Sequence, residues 1–161
     1  AAKAELASPE AMALAHRLMT TLNKAARDCM VRYAVHACTD VTGFGLLGHA
    51  FEMAQGSDTH LTLFPGEIDL IPEALELARD GILPAGMYRN RHYAEAAVDP
   101  GSTELAVQDM LYDPQTSGGL LIAAAPEDAD ALLRELRGAV PSAQRIGVVE
   151  AYNGGPRISL R

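Results

Sequence analysis

Tryptophan is absent from this 161-residue chain, and aromatic residues make up only 5% of it. That leaves too few rings for a platform that stacks single-stranded bases. Cations are the minority: 13 Lys and Arg stand against 21 Asp and Glu, a formal net charge of −8. A duplex-binding surface needs clustered Lys and Arg to neutralise phosphates, so no nucleic-acid partner is expected. The charge does not exclude a bound nucleotide, because metal ions and backbone N–H groups carry small anions. Cysteine occurs twice, at Cys29 and Cys38. Two thiols make neither a disulfide framework nor a metal cluster on their own. No apolar run reaches the ~18 residues of a membrane span, so no membrane partner is expected. The opening AAKAELASPE lacks the charged-then-apolar order of a signal peptide. The expected setting is the cytoplasm, with both thiols reduced.

What is present is ordinary globular material, 48% hydrophobic and 21% charged. The length suits one domain, residues 1–161, with a real core. Ser8-Pro9-Glu10 reads as a helix start. Apolar residues at helical spacing then predict one helix to about Cys29. VHAC, 35–38, predicts a short strand, GLLGHAFEMA a helix and LTLF, 61–64, a strand stopped by Pro65-Gly66. Pro72 opens a short helix that Gly81 closes. The following ILPAGMYRNRHYAEAAVDPGS reads as mostly irregular. Segments 103–111 and 127–138 read as helices, the second closed by Gly138, with GLLIAAA as a buried strand between them. RIGVVEA and RISL are strands about an Asn153-Gly154 turn. Strands and helices intersperse without strict alternation. The expected fold is therefore α+β or mixed α/β, a mixed sheet covered by helices.

Two stretches invite a functional reading. The first is ACTDVTGFGLLGH, Ala37 to His49. Its Gly43-x-Gly45-x-x-Gly48 matches a dinucleotide fingerprint literally. The acids that follow, Glu67 and Asp69, come after a Pro-Gly break, and the chain is short for such a fold. The glycines equally suit a helix packed close to a strand. Asp40, at a strand end before them, suits Mg²⁺, a hard cation that takes carboxylate and phosphate oxygens. It equally suits a turn capped by its own side chain. The second stretch is DPQTSGGLL, Asp113 to Leu121. It reads as a phosphate-facing loop or, more commonly for such glycines, a tight turn into a strand. Arg89 and Arg91 read as solvated loop cations. His36, His49, His60 and His92 lack metal spacing, and His49 with Glu52 lacks the second helical His of a zincin. Cys38 has no base in view and reads as a buried structural thiol.

Taken in order, HACTDVTGFGLLGH, YRN, LYDPQTSGGLLIA and IGVV resemble the C-terminal half of selenophosphate synthetase (selenide, water dikinase). The resemblance runs from about Met12 through Glu150. It implies the C-terminal α/β domain of an aminoimidazole ribonucleotide synthetase-like fold. In that fold, ATP is enclosed between this domain and an N-terminal one. The implied reaction turns ATP, selenide and water into AMP, phosphate and selenophosphate, the selenium donor for selenocysteine and selenouridine. The family's catalytic Cys or selenocysteine, its Lys and its glycine-rich loop lie in the N-terminal domain, so no catalytic residue is assigned to this chain.

The resemblance makes Asp40 a ligand of the Mg²⁺ on the ATP phosphates. It places Thr39, Thr42, Gly43 and Gly45 in the surrounding loop. Asn90, Ser117, Gly118 and Gly119 match motifs beside the inter-domain cleft. Ala85 and Met87 depart from the expected PGGTYRN, which puts any backbone or hydroxyl role there in doubt. The implied cofactor is Mg²⁺, with ATP and selenide as substrates. The implied partners are an N-terminal ATP-binding domain and, for the full-length protein, a second copy in a homodimer. The alternatives are another enzyme of the same superfamily, or a stand-alone binding domain without catalysis.

Overall fold

Ser8 starts the first helix as the sequence predicts. Its hydroxyl accepts the Ala11 N–H at 3.1 Å, and Pro9 occupies the first turn. The computed structural model describes all residues, 1–161. Helix α1 (Pro9–Thr20) ends early, and α2 (Lys24–Met30) follows after a break, where the periodicity predicts one helix. Two causes are visible. The hydroxyls of Thr20 and Thr21 bond back to the carbonyls of His16 and Arg17, which competes with the helical ladder. The Asn23 amide donates to the Gly118 carbonyl at 3.0 Å, anchoring the bend to a distant loop.

Strand β1 (Val35–Asp40) runs two residues further than predicted and reaches Asp40 itself. Helix α3 (Gly45–Gly56) and strand β2 (Thr59–Leu63) follow. Helix α4 (Pro72–Arg79) opens at its proline as expected. The stretch predicted to be irregular is mostly helical. Helix α5 spans Ala85–Ala94, and a short strand β3 (Val98–Asp99) comes after it. The buried residues of α5 are Met87, Asn90 and Ala94. Their spacing is helical, but the middle one is polar, which broke the apolar pattern. Buried Met87 fills the core, so its departure from the family pattern is a packing choice.

Helix α6 (Leu105–Tyr112), strand β4 (Leu120–Ala124), helix α7 (Pro126–Ala139), β5 (Gly147–Ala151) and β6 (Ile158–Leu160) complete the chain. Gly138 lies inside α7 rather than closing it.

The strands form two sheets. A four-stranded mixed sheet has the order β3-β6-β2-β5, with β2 antiparallel to β5 and parallel to β6. A separate ribbon pairs β1 with β4 antiparallel, with a register shift between Val35 and Ala37. Asp40 faces Leu120 across the ribbon's end.

The larger core joins Leu47 of α3 and Leu61 and Leu63 of β2 with Met87, Leu111, Ile158 and Leu160. Burying one such side chain contributes roughly 1.5–3 kcal/mol. A smaller core sits between α2 and α7, around Cys29, Leu132 and Leu136. The ribbon separates the two by simple alternation. Leu121 enters the large core, while Leu120 and Ile122 face the small one. This wall holds the end of β1 in place.

Candidate functional site

Val41 to Gly45 and Tyr112 to Gly119 are far apart in sequence, and backbone hydrogen bonds lace them together. The Val41 N–H donates to the Gly119 carbonyl at 2.9 Å, and Gly118 N–H returns to the Val41 carbonyl at 2.9 Å. Gln115 N–H and Gly45 N–H both donate to the Thr42 carbonyl at 3.0 Å. Two glycines permit this closeness. Gly45 has φ +71, and a Cβ there would lie 2.7 Å from the Tyr112 carbonyl carbon. A Cβ on Gly118 would collide with the Val41 carbonyl. Gly45 therefore seats α3 against another loop of the same protein, and Gly118 lets that loop close on Val41.

Asn90 is the third strap. Its amide donates to the Gly43 carbonyl at 2.8 Å and to the Tyr112 carbonyl at 2.9 Å. It is buried, 6% exposed. Its donors are consumed inside the protein, so in this structure it acts as a clamp between the two loops.

Asp40 is exposed, and its carboxylate takes part in no hydrogen bond or ion pair with the rest of the chain. The self-capping alternative would need its oxygens on nearby N–H groups, and none is so placed. Thr39 bonds only to the Asp40 backbone carbonyl. Cys38 lies on the same face of β1 as Asp40 and is exposed, which corrects the expected burial. Partial desolvation and then the Asp40 charge push its thiol above the usual range, which keeps it protonated and poorly nucleophilic. Asp113, at the foot of the second loop, is likewise pushed up by burial.

Beside this end of the ribbon lies an open depression of roughly 390 Å³. Thr42, Gly43, Phe44, His49, Arg89 and Asn90 are among its lining residues. Of the predicted site residues, it gathers Thr42, Gly43 and Asn90. Gly45 is buried beneath it, while Thr39, Asp40, Ser117, Gly118 and Gly119 border the ribbon's end. His49 and Arg89 were not predicted as site residues. Arg89 is exposed and unpaired in the depression, whereas Arg91 is half-buried in an ion pair with the buried Asp109. The two arginines thus separate, and only helical phase distinguishes them.

The donor set also bears on a metal. No group of three or more His, Cys, Asp or Glu side chains converges anywhere in the chain. A single free carboxylate fits a hard divalent cation as one ligand among others, the rest being phosphate and water oxygens.

Comparison with known proteins agrees with this architecture. A family model described as AIR synthase related protein, C-terminal domain, matches residues 2–157. Curated relatives named selenide, water dikinase align over most of the chain. The one from Treponema denticola is 43% identical over 84% of this chain and 38% of the relative. The one from Clostridium botulinum is 43% identical over 92% and 44%, respectively. The one from Citrifermentans bemidjiense is 46% identical over 97% and 45%. The chain thus spans less than half the length of these relatives. With the family match covering nearly every residue and the mixed α/β fold in agreement, the chain belongs to the family of AIR synthase related proteins, as a C-terminal domain of that family.

Proposed function

We propose that this chain is the C-terminal, cleft-forming part of a selenide, water dikinase. The complete enzyme converts ATP, selenide and water into selenophosphate, AMP and phosphate. The relatives' shared name supports the reaction. The observation that carries the reading is Asp40. It stands free at the end of a ribbon that two laced loops hold rigid, with its carboxylate reserved for something outside the chain.

An N-terminal domain supplies the nucleophile, the Lys and most of the nucleotide pocket, and closes over this surface. Asp40 supplies one oxygen to Mg²⁺ on the ATP phosphates. Thr39, Thr42, Gly43 and Gly45 shape that edge, and Ser117, Gly118 and Gly119 form the opposite lip. Asn90 holds the two together. When bound, Mg²⁺ neutralises charge that develops as phosphoryl groups transfer. The chain itself contributes a fixed negative ligand and a rigid backbone edge. The complete enzyme works in the cytoplasm as a homodimer, and the chain alone has no turnover.

Phosphorus NMR of the complete enzyme with Mg²⁺, ATP and selenide tests the reading. The expected spectrum shows selenophosphate, AMP and phosphate growing together, and none of them with the chain alone. Turnover by the chain alone, or no selenophosphate from the complete enzyme, would refute it.

A further inference from the structure

The depression beside Asp40 contains an arrangement that the reading above leaves unused. His49, at the start of the second turn of α3, is 11% exposed at its side chain. Its Nδ1 lies 3.2 Å from a carboxylate oxygen of Glu52, one turn along the same helix. Its Nε2 lies 3.1 Å from the Thr42 hydroxyl. The Phe44 ring meets the imidazole edge-on, with centroids 5.6 Å apart. The depression's charged lining group is Arg89, from α5.

These contacts favour one tautomer of His49. A carboxylate can only accept, so the Glu52 charge beside Nδ1 favours the proton on that nitrogen. In the neutral imidazole Nε2 is then bare and can accept the Thr42 O–H. The hydroxyl proton is then engaged by His49. The Thr42 hydroxyl oxygen makes no other hydrogen bond within the chain and lies at the edge of the depression, so its lone pairs remain available there. An acceptor with a fixed direction is what holds a water molecule by one of its hydrogens. Beside it, the Arg89 guanidinium suits a phosphate oxygen.

We infer that Thr42 is a catalytic residue that orients the attacking water, with His49 and Glu52 as the positioning residues that aim its oxygen. The inference rests on the proposed reaction, in which water is a substrate. Thr42 accepts one O–H of the water, directing the water oxygen at phosphorus. The new P–O bond forms as the bond to the leaving phosphate oxygen breaks, and that oxygen takes the electron pair. One water hydrogen stays on the phosphate product, and the other is released to solvent. Fixing a water in line with the bond it breaks lowers the barrier mainly by positioning.

The test uses the complete enzyme. Thr42→Val keeps the shape and removes the hydroxyl. It should lower kcat by at least about tenfold while KM for ATP moves by less than about twofold, the pattern of an interaction made in the transition state. Thr42→Ser should restore most of the rate, and His49→Ala should resemble Thr42→Val. Nitrogen NMR of histidine-labelled enzyme should show His49 in the Nδ1–H tautomer, a readout independent of activity and of any variant's folding. Unchanged kcat in Thr42→Val would overturn the inference, as would a raised KM at constant kcat. So would a His49 that is charged or carries its proton on Nε2. An inactive wild type would count against the proposed reaction, and the tautomer would still report on the relay.

Discussion

Asp40→Asn in the complete enzyme is expected to cut selenophosphate formation by at least about tenfold, which corresponds to roughly 1.4 kcal/mol of lost transition-state stabilisation. Asparagine keeps the shape and serves as a cap as well as aspartate does. What it loses is the charge, which matters to Mg²⁺ and not to a turn. Because the carboxylate has no partner within the chain, the fold gives up nothing with it. A surface change of this kind stays within about 0.5 kcal/mol, so the melting temperature should move by no more than about 2 °C. The Mg²⁺ concentration needed for half-maximal rate should rise. Near wild-type turnover with unchanged Mg²⁺ dependence would make Asp40 a spectator.

The largest expected loss of stability comes from Gly45→Ala. The residue has φ +71, and the left-handed conformation costs an L-residue roughly 1–2 kcal/mol. The added Cβ would also stand 2.7 Å from the carbonyl carbon and 2.8 Å from the carbonyl oxygen of Tyr112, and 2.9 Å from that of Asp113. Those are backbone atoms, and the Tyr112 carbonyl is already held by Asn90, so they cannot swing aside. Strain and displacement together should cost about 3 kcal/mol, which lowers the melting temperature by roughly 6–12 °C in a protein of this size. Activity should fall as well, since the displaced segment leads into the second loop. Gly43→Ala is the control. A Cβ there meets nothing within 4 Å, so its melting point should match the wild type to about 2 °C. If the two variants melted alike, the tight seat of α3 would be wrong.

Much of this architecture was legible in the sequence. Ser8-Pro9 marked the start of α1, and Pro72 marked that of α4, because both rest on local chemistry. The apolar run GLLIAAA showed a buried strand, and TDVTGFG with DPQTSGG showed two loops worth joining. The misses have a common cause in contacts that sequence spacing does not report. The break between α1 and α2 depends on Asn23 reaching Gly118. Helix α5 hid because its inward residue is Asn90, whose amide is satisfied by carbonyls of residues 43 and 112. Cys38 looked like a core thiol by residue type, yet it is exposed on the same face of β1 as Asp40. His49 was set aside because it lacked a second His for zinc, while its neighbours supply a carboxylate and a hydroxyl instead.

Hydrogen exchange of the complete enzyme, with and without MgATP, tests the central claim most directly. That claim is that the edge built by the two loops faces a nucleotide held by another domain. Segments 39–44, 86–90 and 113–119 should gain protection when MgATP binds. The edge strand β5, Gly147–Ala151, lies in the other sheet and should exchange at an unchanged rate. Within this chain, protection confined to those three segments is the result the account predicts. Unchanged exchange in all three, with MgATP bound and protecting residues elsewhere, would contradict it.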